Sequence, residues 1–336
     1  MFFSKFERLV ARRYLKAKRR EGFISVITGF AFTGIALGVA TLIIVMSVMN
    51  GFRHELLSRI LGINGHIGIM AVAGVPFNNY PEAVREIGTF EHVQTVIPMI
   101  ERQLLVSSGT TAEGAMVRGI AKEDLLKKKI LKDSLIHVDV DDFSGNNVIV
   151  GARLAQKMGL IPGDEITLIS PNGKVTAFGT VPRMKSYKII GTFEVGMYEY
   201  DSNFIFMPLA AAQTYFGMKG AVSNIDVTLD NDAHLREVRK AIEESVGAGA
   251  YIYDWKQTNS AFFNAIAVER NVMFIILTLI ILVAAFNIIT GLIMLVKDKG
   301  RDIAVLRTMG ATKGMIMRIF FMDAAEIGVV GTAIGL

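Results

Sequence analysis

No cysteine occurs among the 336 residues. Disulfide staples and thiolate zinc sites are therefore excluded, although the absence by itself assigns no redox compartment. Histidine is scarce: His54, His66, His92, His137 and His234 stand at no metal-ligand spacing, so no metal site is expected. Catalytic signatures are missing as well. The nearest approach to a phosphate-cradling loop is Gly173-Lys174 followed by Val175, which lacks the upstream glycine and the hydroxyl that holds magnesium. His54-Glu55 begins like a zinc-protease helix, but Ser58 stands where the second histidine belongs. There is no G-x-S-x-G elbow, and Asp139, Asp141 and Asp142 read as a solvated loop. No catalytic residue and no bound cofactor are expected in this chain, and the weight shifts toward transport or binding.

Charge is missing over long stretches too. Residues 22–52 carry none, a run of 31, and residues 271–296 carry none, a run of 26. A membrane-spanning helix needs about 20 apolar residues, and a core helix of a soluble protein would interrupt its apolar run every turn. Both runs therefore read as spans. A third begins near Met315, interrupted by Arg318, Asp323 and Glu326, and is uncharged from Ile327 to Leu336. The chain stops within it, so the rest of that span and at least one more are expected beyond it. The first run is about twice the length of a signal-peptide core and reads as an anchor that stays.

Basic residues set the orientation. Residues 1–20 hold eight lysines and arginines, and residues 297–318 hold six, Lys297, Lys299, Arg301, Arg307, Lys313 and Arg318. Both belong in the cytoplasm. The stretch 51–267 then lies outside, with 21 Lys+Arg against 24 Asp+Glu, a net −3. The overall +5 is thus topology rather than a nucleic-acid footprint. The expected organisation is a basic cytoplasmic N-terminus 1–21, span one at 22–52, an outer domain 53–267, span two at 268–296, a cytoplasmic helix 297–313 and span three at 314–336.

In the outer domain, short β-rich runs (66–70, 93–108, 114–120, 147–151, 165–170, 186–195, 203–207, 225–229 and 250–255) alternate with helix-patterned ones such as YPEAVREI, ARLAQKMGL and DAHLREVRKAIEESV. The mixture predicts an α+β domain. In the last helix Asp232 is the expected N-cap and Gly247 the C-cap. Because the chain goes out near Gly51 and returns near Trp255, segments 53–114 and 216–267 form a membrane-near lobe, with 115–215 as an inserted distal lobe. Within the latter, residues 172–185 have Pro171 and Pro182 at their edges and glycines at 173 and 179, with Asn172-Gly173 as a turn pair and Phe178 near the tip. They read as a protruding hairpin, either an ordinary long one or a docking element.

Inside the membrane, Gly34 and Gly38 match a small-xxx-small pattern that lets helices approach closely, toward the chain's own spans or toward a second subunit. Asp323 and Glu326 fit near the cytoplasmic surface or facing the bundle interior. Between spans two and three, Ile303, Leu306 and Met309 recur at i, i+3, i+6 among the polar Arg301, Asp302 and Arg307. Gly310 can end this helix left-handed and Thr312 can cap the next. A helical elbow results, lying on lipid or docking a protein.

FERLVARRYL, FTGIALGVATLIIVMSVMNGFR, VERNVMFIILTLIILVAAFNIITGLIMLVKDK and DIAVLRTMGAT resemble the lipoprotein-releasing LolC/LolE permeases, members of the MacB-like (FtsX-domain) class of ABC transporters. VIVGARLAQKMGLIPGD and FEVGMYEYDSNFIFMPLAAAQ look like that family's outer domain. The resemblance covers essentially the whole chain. It implies an integral membrane α-helical bundle of four spans, about two and a half of them here, with a large α+β periplasmic domain inserted between spans one and two of a Gram-negative inner-membrane protein. It implies a homo- or heterodimer of permeases on two copies of a LolD-like ATPase, which would bind ATP and magnesium. It also implies a LolA-like periplasmic carrier and lipoprotein substrates.

Residue by residue, the resemblance makes 299–313 the ATPase-coupling helix, with Arg301, Asp302, Ile303, Leu306, Arg307, Met309 and Gly310 as its contacts. It makes 171–182 the carrier-binding loop, with Pro171, Asn172, Gly173, Lys174, Phe178, Pro182 and Arg183. Val45, Met46, Met49, Met273 and Phe274 would line a lipid cavity between protomers. Two other classes compete. A MacB-type efflux permease carries its ATPase fused at the N-terminus, where only twenty-odd residues precede span one. A non-transporting FtsX-like regulator of cell-wall hydrolases has a smaller outer domain.

Overall fold

The structure, a computed structural model, describes residues 9–10, 22–71, 76–109, 111–176, 179–258 and 260–336. In chain order the elements are α1 (Gly22–Asn64), β1 (Ile67–Ala71), α2 (Tyr80–Ile87), β2 (Val93–Ser108), β3 (Thr111–Ile120), α3 (Lys122–Lys127), α4 (Lys129–Asp133), β4 (Leu135–Ile136), β5 (Asn147–Gly151), α5 (Ala152–Met158), β6 (Glu165–Thr176) and β7 (Gly179–Phe193). There follow α6 (Tyr198–Asn203), β8 (Phe204–Pro208), α7 (Leu209–Phe216), β9 (Asn224–Leu229), α8 (Leu235–Val246), β10 (Ala250–Asp254), α9 (Trp255–Thr258), α10 (Ser260–Asp298), α11 (Gly300–Thr308) and α12 (Lys313–Gly335). The chain divides into two compact units, Met1–Arg53 with Ala261–Leu336, and His54–Ser260.

The first unit is helical. Two helices among the described residues, α1 and α10, are long and apolar enough to cross a membrane. α1 does not stop at residue 52: it is one helix of 43 residues, about 65 Å at 1.5 Å per residue. No glycine–proline break intervenes, and the polar turn 53–59 keeps helical propensity. Its last turns, with Ile60 and Ile63 buried, belong to the second unit.

That second unit is one mixed sheet of ten strands, ordered β10-β1-β9-β2-β3-β8-β5-β7-β4, with β6 pairing β2 and β7. β3–β8 and β5–β7 are parallel and the remaining pairs antiparallel, an α+β arrangement. The sheet joins the two expected lobes. The boundary drawn between 114 and 115 falls inside β3, which pairs with β2 from Ser108↔Thr111 to Met99↔Ile120. The core includes Ile63, Met99, Ile120, Phe193 and Phe206, the two phenylalanines edge-to-face at 5.1 Å.

Local signals explain most element ends. Gly159 closes α5 left-handed at φ +68, and Leu160 N–H reaches Ala155 C=O at 2.9 Å, the pattern of a glycine-terminated helix. Asp232 is not the cap of α8, however. Asn231 caps a short turn there by accepting from Ala233 N–H at 2.9 Å, and Asp232 is taken by Trp255 Nε1 at 3.0 Å and Lys256 at 2.8 Å. Gly247 does follow the last turn, at φ +66.

Candidate functional site

The elbow is built from three helices and two caps. α10 ends at Asp298 and α11 begins at Gly300. Gly310 sits at φ +95, and Ala311 N–H returns to Leu306 C=O at 3.0 Å. Thr312 then accepts from Met315 N–H at 3.3 Å to open α12. Ile303 and Leu306 are half-buried, while Arg301, Asp302 and Arg307 are exposed. Met309 departs from the expected stripe: it follows the last turn of α11 and is 79% exposed. Val305, at 58%, shares that outward exposure. Beside the elbow, Ile293, Val296, Lys297, Met317, Phe320 and Phe321 line an open groove of about 630 Å³.

Helix contacts within the first unit differ from the sequence pattern. Gly38 faces α10, and a Cβ there would lie 3.4 Å from Ile280 Cγ2; Gly34 is half-buried. The tightest approach is made instead by α12. A Cβ on Gly331 would stand 3.1 Å from Ile35, and one on Gly335 2.6 Å from the Ala36 carbonyl. Val45, Met49 and Met273 are half-buried, and Met46 and Phe274 are exposed. Asp323 is fully buried with no hydrogen-bond partner for either oxygen among the described residues, whereas Glu326 is exposed.

The β6–β7 hairpin reaches from Glu165↔Lys188 to Thr176↔Gly179, with its register shifting between Ser170↔Arg183 and Lys174↔Val181. Residues 171–173 thus bulge opposite Pro182. Asn172-Gly173 is part of this bulge, not the turn, which falls beyond Thr176. Pro171 and Pro182 have no N–H to give a ladder, so the irregularity collects where they face each other. Phe178 lies outside the described residues, as do the side chains of Pro171, Asn172 and Lys174. Arg183 is held inward: its guanidinium donates to the Tyr215 carbonyl, and the Tyr215 hydroxyl lies 2.9 Å from Leu168 C=O and 3.0 Å from Arg183 C=O. At the base, Leu105, Ile169 and Met184 pair side by side across three strands, with Leu105 and Met184 exposed.

The end of α1 meets a buried charge cluster that sequence reasoning missed. Ile63 C=O, in the last turn, accepts from Lys128 Nζ at 2.8 Å and Arg118 Nη1 at 3.2 Å. Glu101 answers Arg118 at 2.5 Å, and Asp226 lies 3.3 Å from Lys128. Arg118 also donates to Asn64 Oδ1 at 2.6 Å and covers the Phe204 ring. Burial pulls Lys128 down and pushes Asp226 up, each toward neutrality, with their mutual attraction opposing. Burial likewise works against Arg118, but Glu101 and Asp226 outweigh it and hold it charged. Two cations at a helix C-terminus complement its partial negative charge. A polar cavity of about 160 Å³ adjoins, bounded by Tyr200, Tyr253 and Trp255.

The sequence matches the model of the MacB-like periplasmic core domain over residues 28–245 and that of the FtsX-like permease C-terminal domain over 274–336. It is similar to the lipoprotein-releasing system transmembrane protein LolC of Neisseria meningitidis, 32% identical over 98% of this chain and 80% of that one. The LolC of Xylella fastidiosa is 34% identical over 97% and 79%. The LolE of Haemophilus influenzae is 27% identical over 97% and 80%. The chain belongs to the LolC/LolE family of lipoprotein-releasing permeases.

As a LolC/LolE-type permease, the chain joins a membrane helical unit to a MacB-like periplasmic α/β domain. The structure gathers Arg301, Asp302, Ile303, Leu306 and Arg307 on one short helix, with Met309 and Gly310 at its end. It separates Arg183 from the loop proper. It also adds residues to this permease that sequence reasoning passed over: Val305, Leu105, Met184, the Arg118–Lys128 cluster, and Gly331 with Gly335. The glycine pair had a visible signal, spacing i, i+4 in an apolar helix. The charge cluster had none, because its members are scattered from residue 63 to residue 226.

Proposed function

We propose that this chain is the permease subunit of an ABC transporter in a Gram-negative inner membrane, multi-pass with its N-terminus in the cytoplasm and its outer domain in the periplasm. A separate LolD-like ATPase pair binds ATP and magnesium and grips the elbow. A second permease, the same or a relative, completes the bundle. Lipoproteins leave the bilayer through an apolar cavity and pass to a LolA-like carrier at the β6–β7 hairpin. The likeness to LolC over 98% of this chain and 80% of that one carries this reading, and the exposed elbow gives it a mechanism.

The energetics favour a shielded route. Exposing a buried CH₂ costs about 0.8 kcal/mol, so one sixteen-carbon acyl chain costs about 12 kcal/mol in water. Several such chains multiply that cost, so an apolar path is the favoured one. Val45, Met46, Met49, Met273 and Phe274 supply such walls, with methionines able to adapt their shape. Force enters at α11 and reaches the spans through α10 and α12, while α1 continues unbroken to Asn64 and its end is held by Arg118 and Lys128.

Photocrosslinking tests the assignment. An ultraviolet-reactive residue at Met309 is expected to trap the ATPase, and one at Phe178 the periplasmic carrier. Crosslinks to lipid alone at both positions defeat the reading.

A further inference from the structure

Two long stretches of the outer domain carry no acidic residue, 166–193 and 202–225. The first holds most of β6 and all of β7, the second β8 and α7. Between them they hold Lys174, Arg183, Lys185, Lys188 and Lys219. The pairing of β6 with β2 ends at Leu105↔Ile169, one residue before Ser170, where the β6–β7 register breaks. Beside the bulge β2 therefore loses β6 as a neighbour, and α7 packs against β2. A recessed polar pocket of about 150 Å³ is left there, lined by Arg102, Gln103, Ser170, Arg183, Tyr215 and Phe216, with Met218 at its side.

Charge makes this pocket a site rather than a gap. Two guanidinium groups line it, both half-buried, and no carboxylate stands among the lining residues. Glu101, the neighbour of Arg102 in β2, is engaged by Arg118 at 2.5 Å. Successive side chains of a strand face opposite sides, so that ion pair lies across the sheet from Arg102. Among the described residues Arg102 makes one hydrogen bond, a long one of 3.4 Å from Nη1 to the Glu101 carbonyl. Arg183 donates to the Tyr215 carbonyl near the end of α7, which covers an oxygen that would otherwise repel an anion. Each guanidinium has five N–H donors, and most of these ten stay unanswered among the described residues. The Ser170 hydroxyl and the Gln103 amide add neutral donors. Two like charges sharing a half-buried pocket repel each other, and an anion between them removes that cost.

We propose that Arg102 and Arg183, with Ser170 and Gln103, bind a phosphate group on the outer domain. Planar guanidinium forks match the paired oxygens of phosphate. A phosphate monoester carries about −1.5 to −2 charges at pH 7, which two arginines answer. At about 30 Å³ per water, the pocket has the volume of about five waters, room for a phosphate with a short attachment and not for a long acyl chain. The group arrives free or on a lipid headgroup, and the pocket reads what the two share. Once bound, it ties β2 to β7 and to the end of α7 where the strand ladder lapses. The site is separate from the apolar row of Leu105, Ile169 and Met184: Arg183 and Met184 are successive residues of one strand and face opposite sides. The inward turn that removes Arg183 from the hairpin surface is what brings it to this pocket.

The test uses the full chain, with its affinity tag removed, in a sugar-headed detergent free of phosphate. Inorganic phosphate is titrated in by calorimetry at an ionic strength held constant with chloride. One phosphate per chain is expected. Arg102→Gln should weaken binding about tenfold or more. Arg102→Lys, which keeps the charge and loses the fork, should fall between that variant and the parent. Gln103→Glu changes an exposed position, which spares the fold, and sets a negative charge in the pocket; it should weaken binding as much as Arg102→Gln. Lys219→Gln removes an exposed cation outside the pocket and should change nothing. Thermal unfolding gives a second readout: phosphate should raise the midpoint of the parent and of Lys219→Gln, and leave that of Arg102→Gln and Gln103→Glu where it was. A separate titration with glycerol 3-phosphate distinguishes the sources. Binding about tenfold tighter than that of inorganic phosphate assigns the site to a headgroup, and equal or weaker binding assigns it to the free ion. No saturable binding of either compound to the parent, unchanged binding in both Arg102→Gln and Gln103→Glu, or an equal loss in Lys219→Gln overturns the site.

Discussion

Lys128 donates its ammonium to the carbonyl oxygen of Ile63 at 2.8 Å. The lysine stands between two short helices of the outer domain, and the carbonyl belongs to the last turn of the helix that begins at Gly22. A helix C-terminus leaves four carbonyls unpaired. Here the unpaired end is driven into a buried site and answered by Lys128 and Arg118, so the grip is electrostatic as well as apolar. Removing one partner should therefore do more damage than removing two.

Lys128→Met should destabilise the outer domain by about 3–5 kcal/mol, because Asp226 stays buried without its cation. Adding Asp226→Leu should recover a large part of that loss, since apolar pairs often replace buried ion pairs at little cost. Protease resistance of the full chain against denaturant measures both. If the double variant is no better than the single one, the charge cluster is not the reason the lysine matters.

His66 supplies a pH dependence with a definite sign. Its Nδ1 accepts the Leu229 N–H at 3.1 Å, and burial, set against the attraction of Asp232, holds the imidazole below its ordinary value of 6.5. The folded protein keeps the ring neutral. Above 6.5 nothing is lost; below it the unfolded chain gains the proton first, and stability falls as pH drops toward the folded value. His66→Asn, whose side-chain carbonyl can take the same N–H, should be less stable at neutral pH but show a flatter decline between about pH 7.5 and 5.5. His92, raised chiefly by its hydrogen bond to Asp230, works with the opposite sign and cancels in the comparison of the two proteins.

The sequence was most legible where one local force decides. The strand 93–108 and the helix 80–87 appear with the bounds their patterns predict, because apolar alternation, a proline in the first turn and flanking turn residues all agree. The elbow was legible for the same reason, through Gly310 and Thr312. Asn172-Gly173 misled because the strongest short turn signal lies next to two prolines, and backbone groups that cannot pair took the bulge there. The 114–115 boundary misled because lobe separation was inferred from chain order, whereas β3 pairs by register. The pairings of Lys128 with Asp226 and of His92 with His234 could not be read at all: each residue alone looks like a surface charge, and only the tertiary fold brings them together.

Glycine packing is separable by substitution. Gly335→Ala would set a methyl about 2.6 Å from the backbone oxygen of Ala36, which cannot move aside. Overpacking of this kind costs about 1–3 kcal/mol. Gly38→Ala meets only the end of Ile280 at 3.4 Å, an ordinary contact, and should be nearly silent. Because the chain has no cysteine, a cysteine pair at Ile35 and Gly331, where a Cβ on Gly331 would lie 3.2 Å from that of Ile35, gives a clean readout of helix proximity. Crosslinking should fall in Gly335→Ala and persist in Gly38→Ala.

The elbow offers the sharpest test of mechanism, because docking and folding can be separated there. Ile303 and Leu306 are half-buried, so changing them disturbs both. Val305 is 58% exposed and Met309 79%, and neither supports the fold. Val305→Asp with Met309→Asp should leave thermal unfolding unchanged and weaken association with the ATPase at least tenfold, about 1.4 kcal/mol. Gly310→Ala probes a different property. It keeps the docking surface but forces a side chain into a left-handed backbone at φ +95, costing about 1–2 kcal/mol and turning α11 relative to α12. Association should survive that change while lipoprotein release per ATP hydrolysed falls. An elbow that only tethers the ATPase would lose binding in the first variant and nothing in the second; one that transmits force must show both effects.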